Sequence, residues 1–232
     1  RAIEATVAAV KPHGLPCLLI DDGSTASCQP VLEALALRET SWLRLYRLEV
    51  NQGKGAAVMK GFELATAAGH SHGLQVDADG QHDFTDIPKL VEQARAHPQA
   101  VVTGIPRYDG SVPKVRFYGR YLTHMLVWLE TLSLEIRDSM CGYRIYPLAL
   151  ALDTCRRHRI GRRMDFDTGI IVRMFWDGTR VISVPTRVTY PSDGVSHFHY
   201  VQDNLRMIRL HLGLLLGMLL RFPILLWRTV TR

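Results

Sequence analysis

The sequence predicts an α/β protein with a mostly parallel sheet flanked by helices and an apolar helical tail at its carboxyl end. Three observations support this prediction. Short apolar runs alternate with stretches of helical spacing through the first half of the chain. Acidic residues directly follow two of those apolar runs. Hydrophobic residues make up 47% of the 232 residues, which is enough for one sizeable core.

The predicted elements of the first half follow one another as helix and strand. Strands are predicted at Leu15–Asp22, Trp42–Glu49, Gly73–Asp79 and Ala100–Ile105, and helices near Ala2–Val10 and at Gln29–Glu39, Lys54–Gly69 and Asp86–His97. Such alternation is typical of βα units that join into a parallel sheet. Because ligands of these sheets bind at the carboxyl ends of the strands, the acidic residues stand where a site is expected.

The second half predicts a different arrangement. Helices are predicted at Val115–Leu132 and Met164–Gly178, a loop leading into a strand at Asp138–Tyr146, and a strand at Arg180–Pro191. The segment Asn204–Trp227 is strongly apolar. We therefore expect one domain over residues 1–203 and a membrane-associating tail over residues 204–232.

Charge and cysteine content narrow the class of protein. The net charge is +6, and the segment Arg107–Arg163 alone holds eleven Lys and Arg against five Asp and Glu. A solvated basic face and a surface for an anionic ligand or a membrane both account for this segment. The four cysteines are widely spaced and form no CxxC pair, which argues against a zinc site and fits a reducing compartment.

Two acidic clusters predict a metal-assisted site. Asp21-Asp22 ends the first apolar run, and Asp77-Ala78-Asp79-Gly80-Gln81 ends a later one. If the later run stays extended, Asp77 and Asp79 point the same way, with Gln81 two residues further on. Carboxylate and amide oxygens suit Mg²⁺ or Mn²⁺, which share their coordination with water and phosphate oxygens. A polar turn is the alternative, but the strand-end position and the second acidic pair favour a site.

Three other interpretations fit the sequence less well. An EF-hand loop counted from Asp77 would need Gly at its sixth and Glu at its twelfth position, where this sequence has His82 and Pro88. A phosphatase of the DxDGT type would need Thr or Ser where Gln81 stands, and it is kept as a weak alternative. No nucleic-acid-binding module is recognisable, so nucleic acid is not a predicted partner.

Five ordered motifs resemble those of family 2 glycosyltransferases. They are IDDGST, NQGKGAAVMKGFELA, VDADGQHD, RDSMCGYRIY and MDFDTGIIV, and the resemblance covers about Ala2–Ser196. The order is most similar to that of the branch that glycosylates dolichol phosphate and polyprenyl phosphate. The resemblance implies a GT-A fold, a GDP- or UDP-hexose donor, Mg²⁺ or Mn²⁺, a lipid phosphate acceptor, and inversion at the anomeric carbon.

The resemblance also implies roles for individual residues. Asp21 and Asp22 match the acidic pair that contacts the base and ribose of the donor. The metal ligands implied are Asp77, Asp79 and Gln81. Arg107 is a further expected donor contact. Lys54 opens a helix after a tight turn, which fits either a donor contact near the diphosphate or a purely structural turn. The residues expected to act in catalysis are Asp79, Arg137, Asp138 and Arg144. Those expected to clamp the acceptor phosphate are Arg116, Arg120, Arg137 and Arg144.

The kind of acceptor decides whether a general base is needed. A lipid phosphate is already ionised near neutral pH, so positioning would dominate its catalysis. A hydroxyl acceptor would need a base, for which Asp138 and Asp167 are candidates.

Two departures from the family pattern bear on the predicted function. Its opening strand with a Pro-x-Tyr-Asn turn is not found, so we expect part of the donor pocket to lie outside this sequence. Gly169 replaces a Glu common in relatives, which keeps open a glycosyltransferase-like pseudoenzyme or binding module.

The tail predicts attachment to a membrane surface. Its longest uninterrupted apolar run, Leu212–Leu220, has nine residues, because His211, Arg221 and Pro223 interrupt the segment. A spanning helix needs about 20 apolar residues. Trp227 and Arg228 suit the interface between membrane and water. We expect a peripheral or monotopic anchor at the cytoplasmic face, with packing against the domain core or in an oligomer as the alternative.

Overall fold

A computed structural model of the protein describes residues 2–108, 114–188 and 200–231. Within these ranges the helices and strands alternate as α1 (Ala2–Val10), β1 (Cys17–Asp21), α2 (Gln29–Arg38), β2 (Leu43–Arg47), α3 (Lys54–Ala67), β3 (His72–Gln75), α4 (Ile87–Ala96), β4 (Val101–Tyr108), α5 (Lys114–Thr131), β5 (Arg144–Pro147), α6 (Leu148–Arg157), α7 (Phe166–Trp176), β6 (Val181–Val188) and α8 (Tyr200–Thr231).

The strands form two sheets with helices packed around them. β1 and β2 pair in parallel, and the second sheet has the order β3-β5-β4-β6. β4 and β6 are parallel, whereas β5 runs antiparallel to both β3 and β4. The predicted α/β class, with parallel strands flanked by helices and an apolar carboxyl-terminal helix, is confirmed. The antiparallel direction of β5 is an addition that the sequence did not signal.

Residues of β1 and β3 line one cavity of about 3400 Å³. No β-ladder joins the two strands within the described parts of the chain. The cavity is several times larger than the roughly 300–1,000 Å³ of a usual ligand pocket. Its volume as a whole therefore does not outline one ligand. The polar side chains that line the cavity are more informative about function.

The turn after β3 differs from the expected extended segment. β3 ends at Gln75, two residues before Asp77, and Gly80 has φ +71°. The backbone amide of Gln81 donates to Asp79 Oδ1 at 3.0 Å, which closes a turn. The prediction that Asp77 and Asp79 share one face of a strand is therefore wrong, because the strand ends before them.

The helix α7 is buried on all sides and is the centre of the largest core cluster. All its residues from Phe166 to Val172 are buried, as is typical of a helix in the middle of a core. α3, α6 and α8 contribute Phe62, Ala151 and Leu214 to the same cluster. Because α7 is central, its first turn carries Asp167 into the interior of the protein.

The tail is one continuous helix, α8, which packs against this core. The predicted boundary between residues 203 and 204 falls inside the helix. Its inner side buries Leu210, Leu214, Met218 and Leu225. The stretch Val201–Val230 is also long and apolar enough to cross a membrane by length and composition, with 28% of its most apolar window buried.

Candidate active site

The loop before α3, Asn51–Gly53, is bound to Asp22 of the first acidic cluster. The backbone amides of Gln52 and Gly53 donate to the two carboxylate oxygens of Asp22, each at 2.8 Å. The Asn51 side chain donates to the Asp22 carbonyl oxygen at 3.1 Å. A carboxylate at the amino end of a helix satisfies unpaired amides and complements the helix dipole. Asp22 therefore fixes this loop at the cavity rim.

Lys54, the first residue of α3, joins the second acidic cluster to a third carboxylate. Its ammonium lies 2.6 Å from Asp77 Oδ2 and 2.7 Å from Asp167 Oδ2. Burial works against the charge of the ammonium, but Asp167 and Asp77 outweigh it and raise the pKa of Lys54. Burial likewise opposes ionisation of Asp77, yet Lys54 lowers the pKa of that carboxyl. Lys54 and Asp77 are therefore both charged at neutral pH.

The turn at Asp79 offers oxygen donors of the kind that divalent cations bind. Asp79 is exposed, Gln81 is half-buried, and Asp77, Asp79 and Gln81 all line the cavity. A side-chain atom added at Gly80 would meet nothing within 4 Å, so the turn is open to a ligand. Among the described residues, no three His, Cys, Asp or Glu come together as a complete protein metal site. The donors fit Mg²⁺ or Mn²⁺, which commonly use one or two carboxylates with water and phosphate oxygens.

Asp138 is held in an ion pair and is not available as a general base. It is 2% exposed. The Arg120 guanidinium donates to both of its oxygens, at 2.7 and 2.8 Å. Burial would raise the pKa of Asp138, but Arg120 and His124 hold it well below its usual range. Its oxygen also accepts from the backbone amides of Met140 and Cys141. The predicted catalytic role is corrected to one that shapes this turn.

Arg144 is a structural residue. Its side chain is fully buried. Its two terminal nitrogens donate to the carbonyl oxygens of Ser139 and Asp167, each at 2.6 Å, and its Nε donates to Thr103 Oγ1 at 3.1 Å. A guanidinium with protein partners on every side cannot clamp a substrate phosphate. The prediction of catalytic and acceptor contacts for Arg144 is therefore wrong.

Asp21 also lies away from the cavity. It is 4% exposed and pairs with the Arg47 guanidinium at 2.9 Å. It also accepts the backbone amide of Ser24 at 3.0 Å. Of the acidic pair, Asp22 lines the cavity and Asp21 braces the end of β1 against β2. The predicted donor contact of Asp21 is not compatible with this burial.

The structure brings together only part of the predicted set. The predicted site residues that line the cavity are Asp22, Lys54, Asp77, Asp79, Gln81 and Arg120. Arg107 and Arg137 are exposed elsewhere on the surface, and their roles stay predictions. The side chain of Arg116 lies outside the described residues.

Comparison with known proteins decides the family. Residues 1–150 match the family described as glycosyl transferase family 2. The chain belongs to this family. The match covers the loop before α3, the turn at Asp79 and the whole of β5.

Two curated relatives carry names that refer to polyprenyl lipids. An undecaprenyl-phosphate 4-deoxy-4-formamido-L-arabinose transferase of Pseudomonas fluorescens is 37% identical over 146 residues, 63% of this chain and 41% of that protein. A polyprenol monophosphomannose synthase of Mycolicibacterium smegmatis is 24% identical over 190 residues, 77% of this chain and 68% of that protein. The chain thus spans about two fifths of the first relative and two thirds of the second.

The chain has the same fold as a mannosyltransferase of known structure. The structure of that enzyme from Pyrobaculum calidifontis, in complex with GDP-Man and Mn²⁺, superposes with a TM-score of 0.60 at 16% identity. The superposition covers 95% of this chain and 60% of the other. At this identity the likeness establishes the GT-A fold of the chain and nothing about its substrates.

Sequence reasoning missed three residues around the loop before α3. Arg163 donates to Asn51 Oδ1 at 3.1 Å, and Arg162 donates to Gln52 Oε1 at 3.4 Å. Gly142 packs so closely that an added side-chain atom would collide with Asp77 Oδ2 and Lys54 Nζ. The two arginines lie in the basic segment already delimited from the sequence. Their contacts bridge more than one hundred residues of chain, so sequence spacing gave no signal for them.

Gly169 faces α8, on a different side of α7 from Asp167. A side-chain atom added at Gly169 would lie 3.2 Å from Arg173 and 3.4 Å from Leu210. Asp167 instead contacts Lys54. The departure from the family at position 169 therefore bears on packing between α7 and α8, and it leaves the contacts of Lys54 in place.

Proposed function

We propose that the protein transfers a hexose, with inversion, from a nucleotide-sugar donor to a polyprenyl phosphate or a similar lipid phosphate. The donor class is a GDP- or UDP-hexose, and the reaction is assisted by Mg²⁺ or Mn²⁺. Family membership supports glycosyl transfer, and the names of the two relatives support the lipid phosphate acceptor.

One observation favours an acceptor that is already ionised. The two carboxylates considered as general bases from the sequence are both held by cations, Asp138 by Arg120 and Asp167 by Lys54. A hydroxyl acceptor must lose its proton to a base during transfer. A phosphate monoester needs no such base, because its oxygen is anionic near neutral pH. The ion pairs at Asp138 and Asp167 therefore favour a phosphate acceptor over a hydroxyl acceptor.

The donor would bind along the rim formed by Asp22 and Asp77. In the reaction, the acceptor oxygen forms a bond to the anomeric carbon as the bond from that carbon to the diphosphate breaks. The electron pair leaves with the nucleoside diphosphate. A divalent cation held by Asp77, Asp79 and Gln81 would neutralise the charge of this leaving group. Lys54 lies beside Asp77 and contributes a positive charge near the diphosphate.

The outer surface of α8 supports attachment to a membrane. From Leu212 to Val230, every exposed position is apolar except Thr229. The neighbouring helix α5 also exposes Tyr121, Leu122 and Met125. Exposed apolar surface of this extent marks an interaction site. Because the inner side of α8 packs on the domain, we expect the helix to lie along the membrane. The four free cysteines favour the reducing cytoplasmic face.

A binding module without transfer activity is the second candidate. Lys54 already occupies the Asp77 oxygen that a cation would need. If that pairing persists when donor is present, the protein would hold a nucleotide without activating it. This candidate predicts nucleotide affinity that does not depend on Mn²⁺.

The test combines acceptor choice with loss of one metal ligand. Full-length protein is incubated with Mn²⁺, a panel of GDP- and UDP-hexoses and detergent-dispersed polyprenyl phosphate, and released nucleoside diphosphate is measured. Asp79→Asn should reduce release by about 100-fold or more, because the leaving group loses its charge compensation. Glu63→Gln, which removes an exposed carboxylate from α3, should have no effect.

Each outcome separates the candidates. Release with polyprenyl phosphate but not with the neutral polyprenol supports the proposal. Equal release with both lipids contradicts the phosphate acceptor. Nucleotide binding without release for any pair of substrates identifies the binding module.

A further inference from the structure

The Lys54 ammonium lies between two carboxylates. Its ammonium bridges Asp77 and Asp167 at 2.6 and 2.7 Å, and the three side chains are at most one quarter exposed. The other Asp167 oxygen accepts from the Gln75 side chain at 3.1 Å. Two carboxylates this close in a partly buried site would repel each other without the lysine. The ammonium therefore holds the pair together.

Four segments of chain fix this bridge. Lys54 begins α3, Asp77 follows β3, and Asp167 lies in the first turn of the buried helix α7. Gly142, before β5, completes the enclosure, because its backbone packs directly against Asp77 and Lys54. A bridge built at the junction of so many elements is part of the fold and is not an accidental surface contact.

The bridge has a consequence for cation binding. The Asp77 oxygen that Lys54 contacts belongs to the same carboxylate that is proposed to hold Mg²⁺ or Mn²⁺. A divalent cation and an ammonium on one carboxylate repel each other strongly at such short distances. A cation arriving alone must therefore displace Lys54 from Asp77, and the freed ammonium then needs a new anionic partner.

We infer that Lys54 is a positioning residue that keeps the cation site closed until a nucleoside diphosphate arrives. The diphosphate provides the anion that receives the displaced ammonium, so the cation and the nucleotide bind together. The inference rests on the proposed metal-assisted binding of a nucleotide sugar. It adds that binding of Mn²⁺ alone is weak and that Lys54 causes this weakness.

The decisive variant removes the bridge without changing the charge of the site. Lys54→Met with Asp167→Asn removes one positive and one negative charge and leaves Asp77 free. We expect this double variant to bind Mn²⁺ alone about tenfold or more tightly than the wild type, because Asp77 no longer has a competing cation. The nucleoside diphosphate should then increase its Mn²⁺ affinity much less than it increases that of the wild type.

The measurement is the loss of the electron paramagnetic resonance signal of free Mn²⁺ on titration with full-length protein, with and without GDP or UDP. Lys60→Met is the matched control. It removes a positive charge from the exposed side of α3, where Lys60 pairs with Glu63, and it should leave Mn²⁺ affinity within about twofold. Circular dichroism establishes that each variant is folded.

The outcomes distinguish this inference from the proposed function. If the wild type binds no Mn²⁺ even with GDP and UDP, metal-assisted donor binding is wrong and the inference falls with it. If the wild type binds Mn²⁺ with nucleotide and the double variant matches it with and without nucleotide, the inference alone is wrong. Should the double variant not fold, Asp167→Asn decides. It leaves Lys54 wholly on Asp77 and should weaken Mn²⁺ binding about fivefold, and unchanged affinity overturns the inference.

Discussion

At the scale of single residues, the same side-chain type serves opposite purposes in this protein. Arg144 is fully buried and organises backbone carbonyls, whereas Arg137 is exposed seven residues earlier. Arg120 lies between these extremes and neutralises Asp138. The resemblance to the family predicted that all three contact the acceptor phosphate. Burial separates them, and it depends on contacts that the motif does not contain.

Replacement of Arg144 should destabilise the fold. Arg144→Ala leaves the carbonyl oxygens of Ser139 and Asp167 buried without their donor and opens a cavity. We expect the free energy of unfolding to fall by about 3–5 kcal/mol, as is usual when a buried charged network is broken. Urea denaturation followed by circular dichroism measures this. Arg137→Ala is the matched control and should change stability by less than about 0.5 kcal/mol. Equal stability of the two variants would return Arg144 to the list of substrate contacts.

Part of the site could be predicted from residue types alone. Asp22, Asp77, Asp79 and Gln81 line the cavity as expected, because hard oxygen donors after strands are a local signal. Arg144 and Asp138 could not be assigned correctly. Arginine is rarely fully buried, and the partners of Arg144 include Thr103 and Asp167, which are distant in sequence.

At the scale of elements, the loop Asn51–Gly53 connects the two acidic clusters. It is tied to Asp22 at one end and leads directly into Lys54 at the other. Gly53 has φ +102° and ψ 158°, a region that residues with side chains almost never adopt. An added atom there would also collide with the Arg162 carbonyl and the Arg163 side chain. Glycine is therefore required for the loop to close.

Gly53→Ala should disrupt the loop and with it nucleotide binding. We expect it to lower nucleotide affinity by about tenfold or more, because both the strain and the collision displace the amides that Asp22 accepts. Isothermal titration calorimetry with GDP and UDP in the presence of Mn²⁺ measures the effect. Gly14→Ala is the control. Gly14 also has positive φ, at +64°, but an added atom meets nothing within 4 Å, so only a small stability loss is expected. Equal affinity of the Gly53 variant and the wild type would contradict a role for this loop in donor binding.

The sequence predicted the elements of the first half better than those of the second. Alternating patterns located β1, α2, β2 and α3 to within a few residues. The helix α6 (Leu148–Arg157) was not predicted, and β5 was expected only as the end of a loop. The direction of β5 depends on its pairing with β3 and β4, which is a tertiary choice that four buried residues cannot encode alone.

At the scale of the whole molecule, α8 packs on the core with one face and exposes an apolar surface on the other. His211 and Arg221 interrupt its apolar sequence, yet both face the protein. His211 pairs with the buried Glu130 at 2.7 Å, and the Arg221 guanidinium lies 4.8 Å from the centre of the Trp176 ring. The outer face is therefore continuous and apolar despite the interruptions. Periodicity, and not the length of an unbroken run, was the informative signal.

The inner face makes deletion of α8 a poor test of membrane attachment. Removal of the helix would expose the core around α7 and take away His211, the partner of Glu130. Loss of membrane binding in such a variant would then reflect unfolding. A useful test has to change the outer face only.

Substitution of two exposed leucines should detach the protein from membranes without unfolding it. Leu216 and Leu220 are 65% and 83% exposed and lie one turn apart on the outer face of α8. Leu216→Gln with Leu220→Gln removes two side chains that would each gain about 1.5–3 kcal/mol on burial in the membrane. We expect cosedimentation with phosphatidylcholine vesicles to fall by about tenfold or more, with unchanged circular dichroism. Leu37→Gln, at an exposed leucine of α2, should bind as the wild type does. Because the effect is apolar, it should persist at high salt, which screens the basic segment. If the wild type does not bind these vesicles, or if the double variant binds equally well, the outer face of α8 is not a membrane anchor.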